Sequence, residues 1–394
     1  MNETRALAHV ELITDIQPIP NADKIEVATI LGWKVVIAKK DNFKIGDKVV
    51  YIEIDSKVPE KPEFEFLRDR HFKVKTVRLR GQYSQGLIMP MSILNNDYDV
   101  GTDVTNELGI TYAIAEDNVR KANTINKETK YISMASRHKN IFKRKPIRWL
   151  MKHSWGKKIL FVFFGKKKDM PLQFPTKFNY IKKTDQTRIE NMPWILNDKT
   201  PFIRTEKCDG SSATYIIERK KKNKFEFYVC SRNVRMLKPT QPCYFNDNVY
   251  WEMAQKYDIE NKLIDYISKY PNLSYVCWQG EICGNKIQSN PHKLTTNHLF
   301  CFHMIDSEKG FYDIRDAVKI WNQYNMEHVP VDDILYILPD TIEEIKADAD
   351  GYYDPSVCEG NTKCSREGFV YYSSSNPNLS FKNVSRKYLL KHEG

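Results

Sequence analysis

The chain has 394 residues, 41% hydrophobic and 12% aromatic, and its 61 Lys and Arg against 50 Asp and Glu leave a formal net charge of +11. That length holds two or three domains of about 100–200 residues each, and the apolar content supplies real cores, which sets aside a disordered chain. The basic excess suits a polyanionic partner such as nucleic acid, or simply a solvated basic surface. All eight cysteines lie at or after Cys208 with no Cys-x-x-Cys pair, so a zinc knuckle is not expected. The polar start, Met1-Asn2-Glu3-Thr4-Arg5, does not read as a secretion signal. Free thiols in an intracellular, reducing compartment (cytoplasm or nucleus) are therefore expected, and secretion is not.

Over residues 1–105, short apolar runs alternate with turn residues. Strands are expected over 10–13, 25–30, 33–37 and 49–54, separated by Leu31-Gly32 and Ile45-Gly46-Asp47-Lys48. Such spacing predicts a small barrel or sandwich. Residues 72–80 alternate apolar and basic with a phase slip near Thr76, which predicts one bulged strand. It turns Lys73, Lys75, Arg78 and Arg80 away from the core, either toward a nucleic-acid backbone or merely into water.

Three stretches carry a resemblance: residues 19–28 (Ile19-Pro20-Asn21-Ala22-Asp23-Lys24 and onward), 43–52 and 78–87 (Arg78-Leu79-Arg80-Gly81-Gln82-Tyr83 and onward). Together they resemble the oligonucleotide-binding (OB) barrel of tRNA-binding domains attached to synthetases. The resemblance implies a five-stranded nucleic-acid-binding barrel, and the four basic residues read from the alternation are its expected contacts.

Residues 106–169 read as a connector. Between Arg137 and Lys168 stand 12 Lys or Arg and no Asp or Glu, interleaved with Trp149, Leu150, Met151, Trp155 and the apolar run 159–164. This predicts one or two basic amphipathic helices. A flexible basic linker with a docking patch, a nucleic-acid clamp and an interfacial membrane helix all fit the composition. The apolar run is too short to span a bilayer, and no stable membrane association is expected. A short capped helix is expected over 184–191.

The remaining chain, 170–394, carries the chemistry. Thr205-Glu206-Lys207-Cys208-Asp209-Gly210-Ser211-Ser212 lies between two apolar runs and reads as strand, tight turn, strand, with Gly210 supplying a positive φ. Lys207 before that turn is either a surface lysine or an amine whose pKa burial lowers, making it a nucleophile. Further on come Ser231-Arg232-Asn233, Gly280-Glu281, a run through Phe302-His303 that by itself reads as core, Glu367-Gly368-Phe369-Val370, and Phe381-Lys382. Glu281 on an apolar strand needs a cation, a metal or a hydroxyl opposite it.

In this order the motifs resemble the series of covalent nucleotidyltransferases, the ATP-dependent ligases and capping enzymes. The resemblance implies Lys207 as the catalytic nucleophile that forms a lysyl-adenylate. It implies ATP or AMP contacts from Glu206, Ser212, Arg232, Glu281, Phe302 (stacking on adenine), Glu367 and Lys382. Asp209, Glu281 and Glu367 would hold Mg2+ or Mn2+ through water, and Lys382 would keep Lys207 deprotonated. Where many relatives carry a second lysine, two residues after Lys382, stands Val384; Arg386 or Lys387 are candidate substitutes.

The barrel precedes the transferase part, which resembles the nick-sealing RNA-ligase branch with an N-terminal OB module. The expected fold is α+β: an OB barrel (1–105), a connector with the basic block (106–169) and an ATP-grasp-like transferase domain of antiparallel sheets (170–394). The expected function is ATP-dependent RNA ligation of 5′-phosphate to 3′-OH ends, by a monomer acting on a nicked duplex or RNA/DNA hybrid. The alternatives are a DNA ligase and a non-catalytic RNA-binding protein.

Overall fold

The computed structural model describes residues 6–113, 141, 145–164, 173–175, 186–232, 234–236, 248–285, 287–376 and 378–392. Its first part holds β1 (Ala8–Leu12), β2 (Asp15–Pro18), β3 (Ile25–Ile30), β4 (Trp33–Ala38), β5 (Lys48–Ile52), β6 (Ser56–Lys57), β7 (Val77–Leu79), β8 (Gln82–Ser84) and β9 (Leu87–Pro90). One antiparallel sheet runs β1-β5-β9 and another β2-β3-β4. Every second residue of β4 points inward. Trp33, Val35 and Ile37 meet Val49 and Tyr51 of β5 and Ile88 of β9, which closes the two sheets on one core.

The bulged strand expected over 72–80 is not what forms. Residues Pro62–Arg70 wind into a 3-10 helix, and His71 and Phe72 end it with φ of 52° and 59°. The strand itself is only Val77–Leu79. Phe72, Val74 and Thr76 are all buried, so the phase does not slip. Thr76 keeps its inward place because its hydroxyl accepts from Gln85 Nε2 at 3.3 Å. Arg80 and Gly81, with φ of 49° and 86°, make the two-residue turn into β8.

Next come α1 (Thr105–Leu108), β10 (Thr111–Tyr112), α2 (Lys145–Met151), α3 (Ser154–Phe164) and β11 (Gln173–Pro175). The last part holds β12 (Thr187–Arg188), β13 (Phe202–Glu206), β14 (Ser211–Lys220), β15 (Lys224–Ser231), β16 (Val234–Met236), α4 (Val249–Lys256), α5 (Ile259–Lys269), β17 (Tyr275–Cys283), β18 (His298–Asp306), β19 (Gly310–Phe311), α6 (Ile314–Gln323), β20 (Val331–Tyr336), α7 (Ile342–Ala349), β21 (Gly368–Ser373), β22 (Ser380–Val384) and α8 (Arg386–His392). Two sheets result, with strand orders β11-β16-β15-β14-β17-β18-β19 and β12-β22-β21-β13-β20. All their pairings are antiparallel except β12 with β22. Apolar side chains of α4, α5 and α6, among them Met253, Leu263, Ile267 and Trp321, pack on Tyr215, Val229 and Trp278 of the larger sheet.

The barrel is docked onto the smaller sheet. Val384 and Leu389 are buried in the barrel's own core cluster. Asp55 pairs with Arg188 at 2.9 Å, both side chains buried. The Trp33 indole donates to Asn191, and Asn191 donates to Glu53. Gly32 N–H donates to Glu190 O at 2.8 Å, and a Cβ at Gly32 would sit 2.9 Å from Glu190 Cα. These contacts explain why 186–191, the described part of that stretch, is not the expected helix. Arg188 and Asn191 are drawn toward the barrel, leaving a two-residue strand and a 3-10 turn, Ile189–Asn191.

Candidate active site

β13 and β14 flank the Lys207 turn, yet they do not pair with each other. β13 belongs to the smaller sheet and β14 to the larger. The turn is therefore a crossing between sheets and not a hairpin. Lys207 N–H extends the smaller sheet by donating to Gly368 O at 2.9 Å, while Ser211 already pairs with Ile282 in the larger one. Gly210 does not have the positive φ expected of it. Glycine is needed there for closeness: a Cβ would lie 2.2 Å from Ile282 O and 2.9 Å from Cys283 Sγ.

The Lys207 ammonium stands between the two sheets. It pairs with both oxygens of Glu367, just before β21, at 2.7 Å. Glu281 of β17 and Asp209 of the turn act on the same charge. Burial by itself would lower the Lys207 pKa, but the three acids outweigh it and raise the pKa above the ordinary lysine value. The amine is thus held protonated, opposite to the sequence expectation. The cause is the number of carboxylates, which spacing along the chain does not show.

The acids respond in kind. Burial, Glu367 and Asp209 push Glu281 up to about 8 against the pull of Lys207. Burial raises Glu367 as well, against Lys207 and Lys382. Lys382 lies in β22 opposite Val370 of β21, so its cation reaches the same cluster. Ser212 sits directly across from Glu281 in the β14–β17 pairing.

Phe302 owes its direction to a bulge. Gln279 of β17 pairs with His303, while the next residue, Gly280, pairs with Cys301, which leaves Phe302 as the extra residue. Cys301 and Met304 keep to the helix-covered core, whereas Phe302 packs beside Cys208, Cys283 and Phe300 under the Lys207 turn. Arg232 follows β15, whose Ser231 pairs with Ala213 of β14, and is exposed. The Glu206 carboxylate is buried and turned away from Lys207. It accepts from Asp354 N–H at 2.9 and 3.1 Å and from Arg366 at 3.4 Å. Burial pushes it up to about 7.

Both candidate substitutes for the second lysine have acidic partners here. Arg386 forks onto Glu343 and donates to Gln85 at 3.2 Å, and Lys387 pairs with Asp350 at 3.1 Å. Of the barrel cations, Arg78 and Arg80 are exposed at the β7–β8 tip, with Arg78 over the Tyr83 ring. Lys73 and Lys75 are half-buried before it.

Three further side chains hold the turn, and no motif announces them. Tyr388 of α8 donates to Asp209 Oδ2 at 2.6 Å. Tyr353 donates to Lys207 O at 3.1 Å. His292, stacked on Tyr353 at 4.1 Å, accepts from Asp209 N–H at 3.3 Å and donates through Nδ1 to Val357 O at 3.1 Å. Among the described residues, no three His, Cys, Asp or Glu side chains are placed to ligate one metal ion directly. An acidic trio crowded around one lysine suits a cation held through water.

An OB-fold family signature matches residues 7–91, and an RNA ligase signature matches residues 200–389. The chain is similar over its whole length to a solved RNA ligase of Naegleria gruberi. The complex with PPi is 29% identical, covers 99% of each chain and has a TM-score of 0.71. A mutant with ATP and Mn is 28% identical, covers 99% of this chain and 100% of that one, and has a TM-score of 0.72.

Residues 200–389 form an RNA ligase domain.

The ligase also matches the phenylalanine–tRNA ligase beta subunit of Prochlorococcus marinus, 36% identical over 102 residues. It spans 11% of that relative's length. The α+β fold with a leading OB domain and antiparallel sheets is the one expected.

Proposed function

We propose that the ligase uses ATP to join 5′-phosphate and 3′-OH ends, sealing nicks in duplexes that carry an RNA 3′-OH strand. The observation that supports this most is Lys207 at the crossing of two sheets, with Asp209, Glu281 and Glu367 around it and Lys382 beyond. The Naegleria structures hold ATP and Mn, AMP and Mn, or PPi, which are the substrate and products expected of adenylyl transfer.

Lys207 Nζ attacks the α-phosphorus of ATP. An N–P bond forms, the bond to the bridging oxygen breaks, and pyrophosphate leaves. AMP then passes to the RNA 5′-phosphate, and attack by the 3′-OH releases it. Before ATP enters, the acids keep Lys207 charged, so the amine must lose its proton to react. Asp209, Glu281 and Glu367 fit a divalent cation, Mg2+ or Mn2+, held through water, and such an ion would neutralise phosphate charge. Lys382 supplies positive charge from the opposite strand. Phe302 stacks on adenine, Glu281 and Ser212 face the ribose, and Arg232 contacts the adenylate end. Glu206 shapes the pocket wall through its grip on Asp354 and Arg366.

The proposed division is a nucleic-acid-binding OB domain over 1–105, a connector over 106–169 and the transferase over 170–394. Lys73, Lys75, Arg78 and Arg80 are the proposed RNA contacts. An intracellular, reducing compartment is part of the proposal; the seven described cysteines are all buried.

The test is incubation with α-labelled ATP and Mg2+ or Mn2+, followed by a denaturing gel. A covalent label that Lys207→Ala loses is the expected result. A label retained by Lys207→Ala would overturn the assignment. Comparing nicks with ribose and deoxyribose at the 3′-OH separates RNA ligation from DNA ligation.

A further inference from the structure

The 20 residues of α2, α3 and their turn, Lys145 to Phe164, lie outside both matched signatures. They include Lys145, Arg148, Lys152, Lys157 and Lys158 and no acid. Ile147, Leu150 and Met151 of α2 pack on Leu160 and Phe164 of α3. The helices approach closely, since a Cβ on Gly156 would sit 2.2 Å from Leu150 O. That contact satisfies the inner face of the hairpin.

The outer face is apolar as well. Trp155, Ile159, Val162 and Phe163 are 50, 46, 79 and 76% exposed. Their spacing (i, i+4, i+7, i+8) puts them on one stripe of α3. Trp149, 55% exposed, stands edge-on to Trp155 at 5.9 Å beside His153. A helix facing water carries its polar residues outward, whereas this one exposes an apolar stripe beside Lys158.

We propose that the α2–α3 hairpin is a membrane-interfacial contact for an anionic bilayer surface. Lys152, Lys157 and Lys158 suit anionic headgroups. The tryptophans suit the headgroup level, and Ile159, Val162 and Phe163 suit the acyl boundary beneath it. The 11 residues of α3 are too few to cross, and no described helix is long and apolar enough to do so. RNA would account for the lysines and the tryptophans but leave Ile159 and Val162 in water. A second copy would cover the stripe only by bringing two basic hairpins together.

The full chain should co-sediment with vesicles of phosphatidylcholine plus phosphatidylserine at least ~10-fold better than with pure phosphatidylcholine. Val162→Asp with Phe163→Asp, both at exposed positions, should cut that binding by ~10-fold or more while Lys207 adenylylation and RNA affinity persist. Lys157→Glu with Lys158→Glu should weaken binding to anionic vesicles. Three results would overturn the proposal. One is the absence of binding to anionic vesicles. The second is vesicle binding indifferent to the aspartates, paired with RNA binding lost in the glutamate variant, which makes the hairpin a nucleic-acid clamp. The third is a dimer in sedimentation velocity that the aspartates dissociate. Loss of adenylylation by the wild type would strike the ligase reading and leave this one standing.

Discussion

Two lysine–glutamate pairs in this ligase have the same 2.7 Å separation and opposite electrostatics. Lys207 meets Glu367 at the crossing of the sheets, and Lys346 of α7 meets Glu190 where the barrel docks. Lys207 is a quarter exposed, whereas Lys346 and Glu190 are sealed, at 1% and 0%. Glu281 and Asp209 add to the pull on Lys207 and raise its pKa. Burial lowers that of Lys346, Arg386 and Arg188 lower it further, and Glu190 opposes them. Contact distance therefore does not decide the state of a buried lysine; the balance of burial against the charges one layer out does. The active-site pair is open to an incoming ligand that rebalances those charges, and the interface pair is closed to any.

The largest expected effect is at the open pair. Lys207→Ala abolishes the adenylate label while the urea midpoint stays near that of the wild type. At the closed pair the outcome reverses. Glu190→Ala leaves the Lys346 cation unanswered and should cost ~3–5 kcal/mol in urea unfolding, while the folded fraction still takes label. Lys346→Met with Glu190→Met should recover much of that loss. Unchanged stability in Glu190→Ala would break the contrast.

Glu367→Gln removes the nearest of the acids and should bring the Lys207 pKa down by ~1–3 units, read from the pH dependence of its reaction with an amine-specific reagent. Tyr388→Phe frees Asp209 and should slow adenylylation ~10-fold, by loss of a hydrogen bond to a charged group. An unaltered rate there would mean that Asp209 is placed by His292 and the turn alone.

Two buried histidines repeat the contrast on a smaller scale. His9, in the barrel, is opposed by burial but bonded to Glu11 and Glu53, and rises to about 9. Its contribution to stability is full below the unfolded value near 6.5 and fades as pH rises through about 9. Burial lowers His292 to about 4. The unfolded chain then takes up a proton that the folded one refuses, so stability falls as pH drops from about 6.5 toward 4. Histidine-to-glutamine variants at each position, melted across pH, should flatten opposite limbs of the profile.

Much of the site could be read along the chain because chemistry restricts residue type. The proposed roles, an amine nucleophile, acids for a cation and an aromatic for a base, each leave few choices, and their order is conspicuous. What could not be read depends on contacts between distant residues. Nothing near Lys207 says that its flanking strands join different sheets, or that Gly210 must clear the carbonyl of Ile282. The aim of Phe302 comes from a one-residue mismatch with β17, and Tyr388 reaches Asp209 from 179 residues away. The basic hairpin was legible in charge and helical form. Its outward apolar stripe was not, since sequence alone does not say which face the partner helix covers.

Val384 has a consequence for the order in which this molecule is made. It and Leu389 complete a core whose other buried members, from Ile13 to Ile88, are synthesised first. At ~5–20 residues per second, roughly 15–60 s separate the emergence of the barrel from the arrival of its last packing partners. Through that interval the face around Trp33 is bare, and a nascent barrel is open to aggregation or to chaperones. Substituting a charge at Val384 would then show first in the yield of folded protein during expression, before any effect on the finished enzyme.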